Sequence, residues 1–336
     1  MSDLIERLAD LTGLRDRDVL DVTLVGALRD LLQPAAVAVY RCIGHDDDLR
    51  WITRARLVGQ EISASADSLW SPLEDLPTLA IDAQRERCLR EQTVVIEAGV
   101  VARTLFPLGS DRGPIGVIEI ERARPLDEAE MRVVAGVARI YRNFLGLLDY
   151  SERDTLTGLL NRKTFDDSFM KTANGRPEVR EGQSEASTAY WLGVIDIDHF
   201  KQVNDRFGHL IGDEVLLLLA RLLRSTFRVH DRLYRFGGEE FVVLIRCQGE
   251  AEAQIAFERL RGNVAAYAFP QVGHITVSVG FTPVRQGDSP AAAFARADRA
   301  VYHAKAVGRD RVVSHRALVA AGLVEDVAVE GGIELF

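Results

Sequence analysis

A glycine pair followed by two carboxylates is the feature of this sequence best suited to chemistry. It lies within residues 233–245, where Gly237 and Gly238 separate two apolar, β-prone runs and Glu239 and Glu240 follow directly. Glycine accepts positive φ angles without a Cβ clash, so the pattern predicts a β-hairpin with the glycines at its turn. Bare backbone lets a polyanion approach closely, but the acidic side chains would repel it unless a metal ion lay between them. The hairpin therefore indicates a site for a metal-bound nucleoside triphosphate.

A second apolar run, at residues 194–198, also ends in carboxylates. Asp196 lies within this run and Asp198 closes it. Two strands that bring Asp196 and Glu239 to the same edge would present the oxygen ligands that Mg²⁺ prefers. We therefore expect the two runs to form a magnesium site together.

Length and composition indicate the broad class of the protein. The 336 residues are sufficient for two domains of ordinary size. Hydrophobic residues make up 47% and charged residues 27%, which is ordinary for soluble globular proteins. The sequence has no uninterrupted apolar run of about 18 residues, and its first six residues are acidic where a signal peptide would be basic. These observations predict a cytoplasmic protein with no membrane partner.

Charge and cysteine content exclude further classes. The formal net charge is −9, because 50 Asp and Glu outnumber 41 Lys and Arg. Nucleic-acid binding generally needs clustered positive charge, so we expect no nucleic-acid partner. Cys42, Cys88 and Cys247 lie far apart and match no metal-binding spacing. We expect them to be buried free thiols.

Five motifs in the second half of the chain occur in an order and spacing typical of one family. They are Asp154 to Arg162, Asp196 to Asp205, Phe207 to Asp213, Gly237 to Phe241, and Ala304 to Arg309. Together they resemble the GGDEF family of diguanylate cyclases, whose signature is written Gly-Gly-Glu-Glu-Phe here. The resemblance extends from residue 151 to about 315 and implies the palm-like α/β fold of nucleotidyl cyclases. It also implies condensation of two GTP molecules into cyclic di-GMP with release of two pyrophosphates.

The resemblance assigns the metal site and the catalytic groups. Asp196, the backbone carbonyl of Ile197 and Glu239 are the implied ligands of Mg²⁺, with Mn²⁺ as the alternative ion. Glu239, Glu240 and Lys201 are the implied catalytic residues. Glu240 would either hold a second ion or help to deprotonate the attacking hydroxyl, and Lys201 would assist the phosphates.

The resemblance also implies which groups bind GTP. They are Asn204, Asp213, Gly237, Gly238, Lys305, Arg309 and Phe200. Asn204 and Asp213 would read guanine, because a carboxylate accepts its N1–H and N2–H donors and an amide both donates and accepts. Lys305 and Arg309, four residues apart on the last long helix, would hold the β- and γ-phosphates. Asp310 replaces the Asn usual in the family, a change expected to weaken a local backbone bond without touching the phosphates.

An inhibitory site is implied by the same resemblance. Arg228 and Asp231 match the RxxD motif of the family, and Arg259 would add a second arginine. Guanidinium groups suit both phosphates and the Hoogsteen edge of guanine, so product inhibition by cyclic di-GMP is expected. The competing interpretation is an ordinary salt bridge at a helix end.

Residues 1–126 show helical and strand patterns but no nucleotide motif. A short apolar stripe at Ile5, Leu8, Leu11 and Leu14 precedes a predicted helix at 19–32 and predicted strands at 35–43, 51–57, 93–97, 104–108 and 115–121. We expect a mixed sheet flanked by helices. Its pattern resembles a GAF sensory domain, which implies an unidentified small ligand or partner protein. The alternative is a dimerisation module with an empty pocket.

A long helix is predicted between the two domains, at residues 127–153. Acidic residues occupy its first turn after Pro125, as the helix dipole favours. It carries two adjacent apolar stripes: Val133, Val137, Ile140, Phe144 and Leu147, and Val134, Ala138, Tyr141, Leu145 and Leu148. Two stripes suit a helix that packs on its own domain and on a second copy. The alternative is a helix buried within the N-terminal domain.

A homodimer is also implied by the family, because each catalytic domain holds a single GTP. We expect that domain at residues 154–318, with helices at 162–170, 200–204, 212–224, 250–266 and 290–307 and further strands at 190–196, 275–282 and 311–314. A polar loop at 172–187 and a loosely held tail at 319–336 complete the prediction. The alternative function is a catalytically inactive GGDEF module that serves as a receptor for GTP or cyclic di-GMP.

Overall fold

A computed structural model describes residues 17–45, 48–67, 73–110, 113–174, 189–228 and 230–326. The chain divides after Ser151 into two compact units. Three sequence predictions lie partly or wholly outside the described residues: the stripe from Ile5 to Leu14, most of the loop at 172–187, and the end of the tail. Among the helices of the described ranges, none has the length and hydropathy that a bilayer crossing requires.

The N-terminal unit is a five-stranded sheet with helices on both faces. Its helices are α1 (Arg17–Leu32), α2 (Ala83–Glu91) and α3 (Glu128–Glu152), and its strands are β1 (Ala36–His45), β2 (Asp48–Val58), β3 (Val95–Glu97), β4 (Ala102–Ser110) and β5 (Gly113–Arg122). The strand order is β2-β1-β5-β4-β3. All four pairings are antiparallel, so the mixed sheet expected here occurs instead in the second unit. Helix α2 was not anticipated, because its residues are mostly charged and give no apolar stripe.

Alternate residues of the strands face two separate cores. Val37 and Val39 of β1 pack with α1 and α3 on one face. Ala38 and Tyr40, one residue out of step, pack with Cys88 and its neighbours from α2 on the other. This period of two is the side-chain alternation of a β-strand. The sheet is therefore covered on both faces.

Helix α3 is fixed to its own unit by the predicted stripe from Val134 to Leu148, and Val137 of the other stripe is buried with it. Val134, Tyr141 and Leu145 are at most 2% exposed. The Tyr141 hydroxyl donates a hydrogen bond to Asp21 of α1, and Arg41 of β1 donates to the same carboxylate at 3.1 Å. A buried carboxylate with these donors is satisfied and ties both helices to the sheet. The prediction that one stripe packs on the N-terminal domain is confirmed.

The C-terminal unit is a six-stranded mixed sheet in the order β11-β10-β7-β9-β8-β6. Its strands are β6 (Leu160–Asn161), β7 (Ala189–Ile197), β8 (Arg232–Gly237), β9 (Glu240–Cys247), β10 (Val277–Pro283) and β11 (Arg311–Ser314). Its helices are α4 (Arg162–Asn174), α5 (Phe200–Phe207), α6 (His209–Thr226), α7 (Glu250–Ala266), α8 (Pro290–Ala306) and α9 (His315–Ala320). The β10–β11 and β6–β8 pairs are parallel and the others antiparallel. The predicted α/β fold class is confirmed.

Three local predictions in this unit are wrong. Helix α8 ends at Ala306, so Arg309 is not on it as expected. Gly237 pairs with Glu240, which places Gly238 and Glu239, rather than the two glycines, at the centre of the hairpin turn. Residues 172–174 belong to helix α4 and not to a loop. In each case the end of a helix or strand differs from its predicted position by a few residues. End positions depend on capping contacts, which the pattern of apolar residues does not reveal.

The beginning of the predicted loose tail is held to the C-terminal unit. Helix α9 buries His315 and Leu318. Asp326 then accepts two hydrogen bonds from Arg285, at 2.9 and 3.0 Å. A partly exposed ion pair at Asp326 therefore restrains the described part of the tail, whose residues are otherwise mostly exposed.

Helix α8 lies directly on strand β10 because Gly280 leaves room for it. A Cβ atom at this position would meet the Ala297 carbonyl oxygen at 2.2 Å and the Val301 amide nitrogen at 2.4 Å. Both atoms are backbone atoms of α8 and cannot turn aside. The helix that carries Lys305 is thus set against the sheet by one missing side chain.

We expect Gly280→Ala to lower the free energy of unfolding by about 1–3 kcal/mol, because the added methyl group overpacks the contact between β10 and α8. Urea denaturation of the full chain, followed by circular dichroism, measures the change. Gly262→Ala in α7 is the matched control, since nothing lies within 4 Å of its added Cβ. It should be neutral or stabilise by up to ~1 kcal/mol. Equal unfolding midpoints for the two variants would contradict this account of the helix position.

Candidate active site

Strand pairing places two of the predicted acidic residues side by side. Asp196, near the end of β7, is the direct partner of Glu240 at the start of β9. Directly opposed residues of an antiparallel pair project to the same face of the sheet. Glu239 precedes Glu240 in the turn and is half-buried. The structure therefore brings Asp196, Glu239 and Glu240 together.

Burial and neighbouring acids raise the pKa values of all three carboxylates. Burial raises the pKa of Asp196, and Asp198 and Asp298 raise it further, while Lys305 opposes them. Burial and then the charge of Asp196 likewise raise the pKa values of Glu239 and Glu240. A raised pKa means that the ionised cluster lacks compensating positive charge. The cluster is therefore an electrostatic site for a cation.

Lys305 is the counter-charge that the protein itself supplies. Its Nζ lies 2.6 Å from Oδ1 of Asp196, whose side chain is 10% exposed. That buried oxygen receives the ammonium as an ion pair, but no well-directed hydrogen bond reaches it. An incompletely satisfied carboxylate oxygen is costly in an apoprotein and is suited to a metal ion.

The donor set fits a hard divalent cation that takes part of its coordination from elsewhere. In the described parts of the chain, no three His, Cys, Asp or Glu side chains converge on a common metal position. Asp196 and Glu239 are carboxylates, and Ile197 buries its side chain, so only its backbone can serve the site. Two carboxylates and a carbonyl leave coordination positions for phosphate or water oxygens, as Mg²⁺ typically requires.

A clamp outside the acidic cluster fixes the hairpin turn. Gly237 and Gly238 have φ angles of 144° and 51°. Arg235 donates from Nη2 to the carbonyl oxygen of Gly238 at 2.9 Å and from Nη1 to Asp154 at 3.0 Å. Burial works against the ionised Asp154, but hydrogen bonds from Thr157 and Arg235 outweigh it and lower its pKa. The first of the five sequence motifs thus holds the turn of the fourth.

The residues predicted to read guanine lie where α5 meets α6. Asn204 is half-buried on α5, and Asp213 is exposed on α6. Gly212 lies against Asn204, because a Cβ there would be 1.9 Å from the Asn204 Oδ1 atom and 3.3 Å from a ring carbon of Phe200. Phe200 itself is 5% exposed and packs in the core. Phe200 therefore supports the α5–α6 junction from the core and presents little surface to a ligand.

The two remaining predicted substrate cations are available to a ligand. Lys201 is exposed in the first turn of α5. Arg309 is half-buried and follows the end of α8. Across the described residues, neither side chain forms an ion pair. Both can therefore turn toward an anion without breaking a contact.

The predicted inhibitory residues line one cavity of about 230 Å³. Arg228, Asp231 and Arg259 contribute to it, together with Arg246 and Cys247. The backbone N–H of Arg228 donates to Asp231 at 2.9 Å, and burial raises the Asp231 pKa to about 6. Arg228 approaches Glu252 only to 4.0 Å, so the helix-end salt bridge considered above is loose. The cavity offers guanidinium groups beside a carboxylate.

Asp298 was missed at the sequence level. It is exposed on α8 and raises the pKa values of Asp196 and Glu240. It precedes Lys305 by seven residues, which is about two helical turns, so the two side chains share a face of α8. That spacing was the available signal, but an acid seven residues before a lysine is common on solvated helices.

Comparison with known proteins assigns the second half of the chain. Residues 151–311 match the family described as diguanylate cyclase, GGDEF domain. The diguanylate cyclase DgcP of Pseudomonas aeruginosa is 43% identical over 162 residues, which are 47% of this chain and 23% of DgcP. The response regulator PleD of Caulobacter vibrioides is 38% identical over 220 residues, which are 60% of this chain and 46% of PleD. The chain thus spans less than half the length of either relative.

One solved structure is also similar in sequence. The coiled coil and GGDEF domain of DgcB from Caulobacter crescentus, crystallised with c-di-GMP, is 30% identical and has a TM-score of 0.47. The match covers 56% of this chain and 100% of that one. Residues 151–311 of this chain are a GGDEF domain of the diguanylate cyclase family.

Proposed function

We propose that this chain condenses two GTP molecules into cyclic di-GMP and two pyrophosphates. The observation that carries the proposal is the cluster of Asp196, Glu239 and Glu240, paired with Lys305, inside the GGDEF domain. In the reaction each 3′-hydroxyl attacks the α-phosphate of the other nucleotide. Two P–O bonds form, two break, and each hydroxyl loses a proton. DgcP, a diguanylate cyclase by name, supports the proposal through its identity over this domain.

A divalent cation, Mg²⁺ or Mn²⁺, is part of the proposal. Asp196, the backbone carbonyl of Ile197 and Glu239 would hold it, and it would stabilise negative charge on the phosphates. Lys305 and Arg309 bind the β- and γ-phosphates, and Lys201 assists them. The pairing of Lys305 with Asp196 shows that the ammonium already favours the position beside the acidic cluster.

Glu240 is the proposed proton acceptor for the 3′-hydroxyl. Burial and the neighbouring Asp196 and Asp298 raise its pKa, and a general base works best when its pKa is closer to the working pH. The same negative charge would suit a ligand of a second ion, which is the other role open to it. Asn204 and Asp213 recognise guanine, Gly237 and Gly238 leave space for the phosphates, and Phe200 supports Asn204 from the core.

We expect the purified full chain to release pyrophosphate and form cyclic di-GMP from GTP with Mg²⁺ or Mn²⁺, and to form no product from ATP. Glu239→Gln keeps the shape but removes the charge, so activity should fall about 100-fold or more. Coupled pyrophosphate detection and mass spectrometry of the product measure both results. Asp167→Asn, which removes an exposed carboxylate on α4, is the control and should retain activity. Tight GTP or cyclic di-GMP binding by a wild-type protein with no turnover would favour the receptor function instead.

We further propose that cyclic di-GMP binds the cavity lined by Arg228, Asp231 and Arg259 and inhibits the enzyme. The guanidinium groups would bind phosphates and the guanine edge, and the ionised Asp231 would accept guanine N–H donors. Arg259 already donates to the carbonyl of Thr226 at 2.8 Å, which holds its side chain at the cavity wall.

Product binding should weaken as the pH falls through about 6, because Asp231 then becomes protonated and ceases to accept hydrogen bonds. Between pH 7.5 and 5.5 the ionised fraction drops about fourfold, so the dissociation constant of labelled cyclic di-GMP should rise about fourfold. Equilibrium dialysis measures it without dependence on turnover. Asp231→Asn should bind weakly with little change over this range, and Arg228→Ala should relieve inhibition while initial turnover persists. An unchanged inhibition curve for Arg228→Ala would reject the site.

We propose that α3 joins two copies of the chain, since each GGDEF domain is expected to hold one GTP. Val133 and Leu147 are 36% and 66% exposed, and Ile140 lies midway between them, half-buried. Their spacing of seven residues is the repeat of a coiled-coil seam. The helix ends next to Asp154, the start of the first catalytic motif, and so could carry a change of state to it.

Leu147→Glu should shift the protein from dimer to monomer and lower its specific activity, because a charge would then lie in the apolar seam. Sedimentation at several protein concentrations, with activity measured in parallel, provides the test. Ala135→Glu introduces the same side chain at an exposed position of α3 off the stripe and should leave both properties unchanged. A monomeric wild-type protein with full activity would contradict the dimer.

We propose that the N-terminal unit is a GAF-like sensory domain that regulates the cyclase. The sheet packs against α1 and α3 on one face and against α2 on the other. This supports the proposal, because α3, the helix that leads to the first catalytic motif, is part of the unit's own core. Native mass spectrometry of the full chain would reveal a retained ligand as added mass. A protein that retains and binds nothing would leave this unit with a dimerisation role alone.

A further inference from the structure

The turn after α8 has an unusual backbone. Gly308, Arg309 and Asp310 have φ angles of 118°, 62° and 44°, so three consecutive residues adopt left-handed conformations. Glycine does this freely, but Arg and Asp do not. Non-glycine residues keep such conformations only where surrounding contacts enforce them, and they are concentrated at functional sites. The contacts of this turn therefore indicate what Arg309 requires.

Four contacts hold the turn. The backbone N–H of Arg309 donates to the carbonyl of Ala304 at 2.9 Å, and Arg311 Nε donates to the carbonyl of Arg309 at 2.8 Å. These two bonds are local and lie on either side of the turn. The other two come from distant parts of the unit and reach Asp310, the residue that replaces the Asn usual in the family.

Asp310 is held on both sides. Its backbone N–H donates to Oδ2 of Asp198 at 3.1 Å. Its own carboxylate receives Arg261 Nη1, from α7, at 2.8 Å. Arg261 and Asp310 are 27% and 41% exposed in their side chains, so solvent screens this pair. The bond to Asp198 lies deeper and is the stronger constraint.

Asp198 is itself a rigid support. It is 4% exposed, and both of its carboxylate oxygens are occupied. Ser278 Oγ donates to Oδ1 at 2.7 Å, and Thr276 Oγ1 donates to Oδ2 at 2.6 Å, in addition to the Asp310 N–H. Because Asp198 follows Asp196 by two residues, one short segment carries a carboxylate of the acidic cluster and the anchor of the Arg309 turn.

We propose that Asp198 is a positioning residue that, assisted by Arg261, holds the turn at residues 308–310 so that Arg309 meets the phosphates of GTP at a fixed place relative to Asp196. The inference rests on the proposed function and extends it, because the polar groups of Asp198 and Arg261 are engaged within the protein and would act through the turn. Arg309 has a half-buried side chain without an ion pair among the described residues, so the turn sets the place from which this side chain extends.

The test is a double-mutant cycle on the full chain, with the KM for GTP and the dissociation constant of GTP in Mg²⁺ as readouts. Asp198→Ala removes both carboxylate oxygens, so the Asp310 N–H loses its acceptor in this variant. We expect both constants to rise about tenfold, and to rise about as much in Arg309→Ala. The double variant should be no worse than Arg309→Ala alone. A merely structural loss at Asp198 would instead multiply with the loss at Arg309.

Two further variants provide a control and a second test of the turn. Ser278→Ala removes a donor from the other oxygen of Asp198 and leaves the Asp310 bond, so the GTP constants should stay within about twofold of wild type. Arg261→Ala changes a partly exposed side chain and tests the turn even if Asp198→Ala does not fold. Its rise of about two- to threefold should disappear in the Arg309→Ala background.

Equal effects of Asp198→Ala, or of Arg261→Ala, in the wild-type and Arg309→Ala backgrounds would overturn the proposal. A wild-type protein that binds GTP without turning it over would refute the cyclase function, and the dissociation constants would still report on the positioning of Arg309. The two failures are thereby distinguished.

Discussion

The burial of three neighbouring carboxylates at the β7–β9 edge is the constraint on which the catalytic unit depends. Asp196, Glu239 and Glu240 all have raised pKa values. Lys305 neutralises part of their charge through its ion pair with Asp196. Like charges this close are retained only where a counter-ion or a ligand offsets their electrostatic and desolvation free energy. The Asp154–Arg235 clamp and the tight seating of α8 on β10 both serve to hold this unfavourable arrangement in place.

The scaffold separates what must be rigid from what must respond to a ligand. The central strands are apolar and buried on both faces, so the acidic groups at their ends cannot move apart to relieve repulsion. Around them lie exposed or half-buried cations whose side chains are unpaired within the described ranges, namely Lys201 and Arg309. A ligand that carries phosphates and a metal ion would bind the cations and the acidic groups at the same time. Binding the ligand would therefore also position it for the reaction.

In the N-terminal unit, a buried polar network fixes helix α3 in place. Asp21, Arg41 and Tyr141 form a buried polar network that joins α1, β1 and α3, so α3 is not free to slide along its own sheet. The adjacent stripe of α3 still exposes Val133 and Leu147. In the proposed dimer, a helix fixed by one stripe and apolar on the next would be suited to pass a change in the sheet to a second copy.

The sequence by itself determined the GGDEF domain, the order of its elements and the identity of its charged groups, because strand alternation, glycine turns and motif spacing are local properties. Only the tertiary structure showed that Asp298 faces Glu240, that Asp198 anchors the turn bearing Arg309, and that this turn lies beyond the end of α8. These facts depend on which strands become neighbours and on hydrogen bonds between residues about a hundred positions apart. Such contacts are selected by the packing of the whole unit, and no local pattern encodes them.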